Sequence, residues 1–212
     1  MKKIFTLVSI AFFGFAAQAQ DSNQGLKGAW FATSQFGYQQ TKTADAKNTS
    51  LSVLPIVGTF VTPSVAVGAG IGYINIKADS DKGTAAKTDL FVFQPLARKY
   101  WNVAGSLYFF GQLAAPIITG KEKQSELKVN QVGLALSGGF DYFVTKNFSV
   151  EFSYDLANFT STTLKPENGE KTTVTNFGLA HVANVDAFYN TALGGSNPNL
   201  TSPISVGFKF VF

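Results

Sequence analysis

Residues 148–156 read Phe-Ser-Val-Glu-Phe-Ser-Tyr-Asp-Leu, with an apolar or aromatic side chain at every second position and a polar one between. Because successive side chains of a β-strand point to opposite faces, this pattern predicts a strand with one apolar and one polar face. Residues 204–212, Ile-Ser-Val-Gly-Phe-Lys-Phe-Val-Phe, repeat it with Lys209 opposite the aromatic face. The alternation recurs at 132–142, and at 65–73 apolar residues alternate with Ala66 and three glycines. These stretches predict an all-β chain.

Similar stretches run along most of the chain, separated by segments rich in Gly, Asn, Asp, Ser and Lys. About nine to eleven residues suffice for a tilted strand to cross a bilayer, and each predicted strand is long enough. The predicted strands are Gly28–Gln39, Leu51–Val61, Val65–Lys77, Thr88–Lys99, Val103–Ile118, Val129–Val144, Asn147–Asn158 and Pro203–Phe212.

The connections between these strands alternate in length. Short ones follow strands two, four and six, at Thr62–Ser64, Tyr100–Asn102 and Thr145–Lys146. Long polar ones occupy 41–50, 78–87, 119–128 and 159–202. Outer-membrane barrels have short periplasmic turns and long external loops, whereas a soluble sandwich has no reason to sort its loops this way. The sequence therefore predicts an eight-stranded antiparallel transmembrane up-and-down β-barrel.

The last long connection, 159–202, leaves two alternatives open. Thr172–Leu179 fits one arm of an extra hairpin, which would make ten strands. Apolar residues between Leu179 and Leu193 have rough helical spacing, which fits a short helix over the barrel mouth.

Composition excludes several classes of protein. Hydrophobic residues make up 45% of the chain and charged residues 14%, and there is no cysteine. A disulfide scaffold and a cysteine-ligated metal site are therefore impossible, and no apolar run in the mature chain is long enough for a membrane helix. Without Lys2 and Lys3, 15 basic side chains stand against 13 acidic ones. That balance is too even for a nucleic-acid partner.

The N-terminus has the features of a secretory signal peptide. Met1–Lys3 is a short cationic region, 4–16 is apolar, and Ala17 and Ala19 are small residues at the positions that a signal peptidase reads. We expect residues 1–19 to be the signal peptide and residues 20–212 to form the barrel domain.

Strand alternation predicts a polar network inside the barrel. The five charged residues predicted on the inner face are Arg98, Asp141, Glu151, Asp155 and Lys209. The predicted inner face also carries Gln94, Gln112, Gln131, Leu54, Ile56 and Phe110. An eight-stranded barrel is only wide enough for its own side chains, so opposite charges there should pair and fill it. Glu151 and Lys209 should pair because strands seven and eight are neighbours. The alternative is a narrow gated channel whose ion pairs exchange partners.

The pattern predicts no catalytic, cofactor-binding or metal site. His181 is the only imidazole in the sequence. A catalytic triad would also need a nucleophile such as Ser161 and an acid such as Asp186 or Glu170, but their spacing in the sequence does not indicate that they meet in space. The sequence also lacks a Gly-x-Ser-x-Gly nucleophile motif. An exposed loop histidine without catalytic function is the expectation.

Aromatic residues cluster near the predicted strand ends, where rings can lie among lipid headgroups. At the turn side these are Tyr100, Trp101 and Tyr142, and at the loop side Tyr38, Tyr73 and Phe159.

The C-terminal strand resembles the assembly signal of small outer-membrane β-barrels, in which alternating apolar residues end in an aromatic residue. Phe208, Phe210 and Phe212 match that signal. The chain as a whole resembles the eight-stranded superfamily of OmpA-like, OmpX-like and OmpW-like barrels, and the 95–100 stretch is similar to barrels of Bacteroidota-type bacteria. The resemblance implies the outer membrane of a Gram-negative cell, outer-membrane lipid and lipopolysaccharide as neighbours, and the barrel-assembly machinery as a partner during biogenesis.

These features favour an integral outer-membrane protein with a structural, adhesive or surface-interaction role and no catalysis, which contacts a surface ligand or protein through its long loops. The alternative is a porin-like narrow pore or conduit for small solutes or small hydrophobic molecules, because Leu54, Ile56 and Phe110 are predicted to face inward.

Overall fold

A computed structural model describes residues 26–43, 46–80, 83–179 and 204–212. These residues form ten antiparallel strands in one sheet that closes on itself. The strands are β1 (Trp30–Lys42), β2 (Ala46–Thr62), β3 (Val65–Ser80), β4 (Gly83–Ala104), β5 (Leu107–Ala114), β6 (Ile117–Glu122), β7 (Lys128–Thr145), β8 (Phe148–Lys165), β9 (Thr172–Leu179) and β10 (Ile204–Val211). Neither residues 1–25, which include the predicted signal peptide, nor residues 180–203 are among those described.

The ten strands fill eight positions around the barrel. β5 and β6 share the fifth position, since both pair with β4 and β7. Pro116 separates them, because proline has no N–H to donate to a sheet. β9 and β10 share the eighth position along β8, and β10 closes the barrel against β1 at Phe31–Thr33. The predicted eight-stranded barrel is confirmed, and the ten-strand alternative is wrong. The predicted hairpin arm Thr172–Leu179 is a strand, β9, but it adds no further position. It continues the eighth position beyond β10, on the part of β8 that lies away from the short turn to β7.

The strands alternate as predicted between an outer face of exposed apolar side chains and a buried inner face. Exposed large residues such as Phe93, Val132 and Phe152 cover the outside. A register shift opposite Leu136 and Ser137 puts an extra residue into β8 near 156. The inner side chains of β8 therefore change from odd to even numbers, and the outer face stays apolar.

Several strands are longer than the sequence predicts. β4 has 22 residues, about twice the length that a bilayer requires. The predicted loops at 41–50 and 78–87 are mostly strand, as are half of 119–128 and all of 159–165 in the predicted last loop. Alternation of apolar and polar residues is lost in these segments because polar residues also occupy the outer face there, yet the backbone pairing continues.

The predicted turn at Tyr100–Asn102 is wrong, because β4 continues through it to Ala104. The chain reverses instead at Gly105, whose φ of +53° lies in the left-handed region that favours glycine. No helix within the described ranges is long and apolar enough to cross a membrane.

Candidate functional site

Charged and aromatic side chains meet inside the barrel near its short-turn end. β4 contributes Arg98 and Tyr100, and each of β5, β7, β8 and β10 contributes one further polar residue. We call this group the luminal plug; its members are Arg98, Tyr100, Gln112, Asp141, Glu151 and Lys209. Each of these side chains points into the barrel. Their strands, from β4 to β10, occupy the fourth to the eighth positions of the wall, so the group spans the lumen.

Arg98 makes the most hydrogen bonds in the plug. Its Nη1 lies 2.6 Å from Oε2 of Glu151 and its Nη2 lies 3.3 Å from Oε1, which is a bidentate pair. Nε and Nη2 also donate to Oε1 of Gln112 at 2.9 Å and 2.7 Å. Arg98 therefore joins β4 to its neighbour β5 and to β8 on the opposite wall.

Lys209 holds the other half of the plug. Its Nζ forms a salt bridge with Asp141 on β7 and donates to the Tyr100 hydroxyl at 3.0 Å. Arg98 Nη1 donates to the same hydroxyl at 3.1 Å. Tyr100 thus accepts from both cations and connects the two ion pairs into one network.

The plug balances its charge internally, with two cations against two carboxylates. Arg98 is 5% exposed, and both Asp141 and Lys209 are fully buried. Charges removed from water in this way require a partner, because an unpaired buried ion costs several kcal/mol. The network meets this requirement, although Oδ1 of Asp141 has no hydrogen-bond partner among the described residues.

Aromatic rings fill the remainder of the same cross-section. The ring of Phe60 on β2 lies 5.3 Å from that of Tyr100 and 6.0 Å from that of Phe31 on β1, centroid to centroid. The Arg98 guanidinium lies 4.1 Å from the ring centroid of Phe110. Gly58 makes room for Phe31, since a Cβ at Gly58 would come within 2.4 Å of that ring. Side chains from both walls therefore occupy the lumen at this level.

Above the plug, meaning further from the short turns, the two walls of the lumen differ in chemistry. The wall formed by β2 to β6 is largely apolar, with buried residues such as Leu54, Ile74 and Val92. The wall formed by β7 and β8 is polar, and there Thr162 donates to Gln131 at 3.1 Å.

Four of the five predicted luminal charges meet as the sequence indicates: Arg98, Asp141, Glu151 and Lys209. The predicted pair of Glu151 and Lys209 is present as a long salt bridge of 4.0 Å, but Glu151 binds Arg98 more closely, at 2.6 Å, and Lys209 forms its closer salt bridge with Asp141. Asp155 does not join the plug and makes no hydrogen bond or ion pair with any described residue. Tyr100, which was predicted at the headgroup level, is instead buried inside the barrel as part of the plug.

The other predicted positions are mostly on the outer face. Phe208 and Phe210, of the predicted assembly signal, are exposed on the lipid side. Phe212 is half-buried, and its backbone N–H donates to Trp30 at 2.8 Å. Exposed Tyr38, Tyr73, Trp101, Tyr142 and Phe159 also point outward.

The triad candidates are not brought together in the described ranges. Ser161 is on the same face of β8 as exposed Phe159, and Glu170 is in the connection between β8 and β9. His181 and Asp186 lie outside the described residues. Among the residues that are described, no group of three or more His, Cys, Asp or Glu side chains is placed to hold a metal ion.

The sequence matches no protein-family model and no curated protein. The fold is similar to the outer membrane protein OprG from Pseudomonas aeruginosa, at 13% identity and a TM-score of 0.50, over 91% of this chain and 99% of that one. It is also similar to Neisserial surface protein A, at 13% identity and a TM-score of 0.44, over 88% and 100%. The translocator domain of the autotransporter NalP from Neisseria meningitidis matches at 12% identity and a TM-score of 0.45, over 83% and 66%.

The apolar outer face and the likeness of the fold to the outer membrane protein OprG lead to the same assignment. Large apolar side chains face outward on every wall of the barrel, which is the arrangement that lipid requires. The chain is an integral β-barrel of the bacterial outer membrane.

Proposed function

We propose that this barrel is a closed, non-conducting outer-membrane protein with a structural and surface-presenting role. The observation that carries the proposal is the luminal plug, whose buried side chains fill the lumen together with Phe31, Phe60 and Phe110. A lumen filled by paired charges and packed rings has no continuous path for water or ions.

The long strands supply the surface that such a protein would present. On β4, outward apolar residues run from Val103 to Phe91, and the eight residues Gly83–Leu90 extend beyond them. β7 and β8 also extend past their last apolar outer residues, to Lys128 and Lys165. The proposed contact surface is therefore a raised rim of extended, paired strands, where the sequence predicts polar loops. Residues 180–203 of the predicted last loop lie outside the described residues.

The proposed role is non-enzymatic. The chain has one histidine and no cysteine, so it offers few side chains for nucleophilic or general-base catalysis. Ser161, the candidate nucleophile, faces outward on β8 and is not within the lumen.

A conduit for small hydrophobic molecules is the second candidate. The apolar wall above the plug favours it, because Leu54, Ile74 and Val92 would suit an apolar ligand better than an ion. Such a ligand would require the luminal side chains above the plug to move apart, because they are buried against one another.

Conductance in planar bilayers tests the closed lumen. We would compare the wild type with Arg98→Ala/Glu151→Ala, which removes one ion pair and keeps the plug neutral. The matched control is Lys121→Ala/Glu126→Ala, which removes a pair of 2.5 Å on the outer rim. We expect the wild type and control to be silent and the plug variant to conduct small ions.

Stable channels in the wild type would overturn the proposal. If none of the three proteins conducts, the lumen is closed, but the apolar wall rather than the ion pair closes it. Uptake of an apolar dye into vesicles, above that of protein-free vesicles, would instead favour the conduit.

A further inference from the structure

Lysines recur around the outside of the barrel beyond the apolar outer face of its strands. Six of them occupy the lipid-facing side of their strands, each four residues beyond an exposed apolar residue of that face. These lysines are Lys42, Lys47, Lys77, Lys87, Lys121 and Lys128. The apolar residues, in the same order, are Tyr38, Leu51, Tyr73, Phe91, Ile117 and Val132.

The constant spacing places these six lysines in a layer defined by distance along the strand, four residues beyond the exposed apolar residue of each strand. Four residues of strand span about 13 Å, which at a tilt of about 40° is about 10 Å above the apolar band. Lys165 on β8 joins the layer because it lies directly opposite Lys128. We call these seven residues the lysine ring; it covers seven of the eight barrel positions.

Within the ring, like charges are direct neighbours. Lys42 lies opposite Lys47, and Lys77 lies opposite Lys87. Lys128 lies between two others, opposite Lys121 on one side and Lys165 on the other. Directly opposed like charges destabilise a sheet, so this arrangement favours an anion between the strands.

Carboxylates of the described rim neutralise only part of the ring. Lys77 pairs with Asp79 at 2.9 Å, and Lys121 pairs with Glu126 at 2.5 Å. Asp89 pairs with Lys123, which lies outside the ring. Lys87, Lys128 and Lys165 form no ion pair with any residue that the structure describes.

The ring lies on the external side of the membrane. The short turns are at the opposite end of the barrel, together with the start of β1 and the end of β10, where Asn147 Nδ2 donates to the carbonyl of Val211 at 2.8 Å. In outer-membrane barrels that end is periplasmic. About 10 Å beyond the apolar band on the other side is the headgroup level of the outer leaflet.

We propose that the lysine ring binds the phosphate groups of the phosphorylated glycolipid of the outer leaflet. The phosphates of that glycolipid lie at the headgroup level, as the ring lysines do, and a phosphate between two opposed lysines removes their repulsion. The inference is independent of whether the lumen conducts.

The test is binding of diphosphoryl lipid A to the refolded barrel in nonionic detergent. The variant Lys87→Gln/Lys128→Gln/Lys165→Gln removes three ring charges, and the matched control Lys27→Gln/Lys99→Gln/Lys146→Gln removes three lysines near the short-turn end. At about fivefold in affinity for each lysine near a charged lipid surface, we expect the ring variant to bind about 100-fold more weakly. The control should bind like the wild type, and replacement of the same three ring lysines by Arg should preserve binding.

Dephosphorylated lipid A and inorganic phosphate complete the experiment. Binding should fall to the level of the ring variant when the lipid lacks phosphate, and inorganic phosphate at equal concentration should not compete. Equal losses in the ring and control variants, or equal binding of dephosphorylated lipid, would overturn the proposal. Full competition by inorganic phosphate would assign the ring to soluble anions and overturn the lipid partner. An unboiled gel band that migrates as in the wild type would show that each variant folds.

Discussion

The luminal plug and the lysine ring differ in how their charges are arranged: the plug pairs opposite charges, and the ring places like charges side by side. In the plug, Arg98 faces Glu151 and Lys209 faces Asp141. In the ring, Lys128 has a lysine directly opposite on either side. The plug is buried and neutral, whereas the ring is exposed or half-buried and carries an excess of positive charge.

The contrast shows how the solvent around each group determines its partners. Inside the barrel no water or counterion is at hand, so the chain itself must supply each opposite charge. At the rim, water and lipid headgroups surround the lysines, so the chain can leave them facing one another at a cost of only tenths of a kcal/mol per pair. Removal of a charge should therefore destabilise the plug and stabilise the isolated ring.

The largest effect should follow from Lys209→Met. The change leaves Asp141 as an uncompensated charge in a closed lumen, which costs about 3–5 kcal/mol. Urea titration of the gel-shifted folded form in detergent would measure the loss. The double variant Lys209→Met/Asp141→Leu should recover most of the stability, and Lys146→Met, at an exposed turn, should change little. A Lys209→Met barrel as stable as the wild type would mean that the buried pair is not a stabilising contact.

The aromatic half of the plug predicts a smaller effect at Gly58→Ala. The new Cβ would lie 2.4 Å from the Phe31 ring and 2.6 Å from the Val67 carbonyl oxygen. Displacement of that packing should cost about 1–3 kcal/mol in the same urea titration. Gly111→Ala is the control, because its Cβ would meet Trp101 at an ordinary 3.5 Å. Equal stability of the two variants would contradict the close approach of Phe31 to β2.

Reversal of one ring charge should raise stability slightly. Lys128→Glu replaces two repulsive cross-strand contacts by attractive ones, which should add about 0.2–1 kcal/mol in nonionic detergent without lipid. Lys146→Glu makes the same charge change in a turn and should be neutral. A loss of stability in Lys128→Glu would mean that the ring lysines are not repelling each other.

The smallest effect concerns the turn that carries part of the rim. Partial burial acts to raise the pKa of Glu122, but hydrogen bonds from the Ser125 side chain and from the backbone N–H groups of Gln124, Ser125 and Lys87 outweigh it and lower the pKa to about 2. A pKa lower in the folded than in the unfolded state stabilises the turn above about pH 4.5, and this contribution disappears as the pH falls through about 2. A carbon-13 titration of the Glu122 carboxyl should show that midpoint, and Ser125→Ala should raise it. An unshifted midpoint in the wild type would contradict the hydrogen-bonded turn.

The sequence predicted the inward residues of the plug because the period of a strand is two residues. Arg98, Glu151 and Lys209 follow from that period once each strand is recognised. Their partners do not follow, because they depend on the stagger between strands: Glu151 lies opposite Gly207, and Lys209 lies opposite Ser149. The pair between Arg98 and Glu151 crosses the lumen, which no local pattern encodes.

Two further errors of prediction have local causes. Tyr100 was predicted at a turn because Tyr100–Asn102 was interpreted as a short connection, whereas the reversal uses Gly105, whose positive φ favours glycine. The lysine ring was not recognised because its polar segments resemble loops. Alternation of apolar and polar residues reports only the part of a strand that lipid touches, so strand pairing beyond the membrane leaves no such trace.

Spin-label accessibility along β4 would test both the membrane position and the closed lumen, because that strand contains both plug and ring residues and the chain has no native cysteine. Single cysteines would be introduced at Lys87, Phe91, Val92, Phe93 and Gln94 in lipid A-containing vesicles. We predict that oxygen from the lipid reaches positions 91 and 93, that neither oxygen nor a water-soluble nickel chelate reaches 92 and 94, and that the chelate reaches 87. A nickel chelate that reaches 92 and 94 as readily as 87, or accessibility without alternation, would contradict a lipid-embedded barrel with a closed lumen.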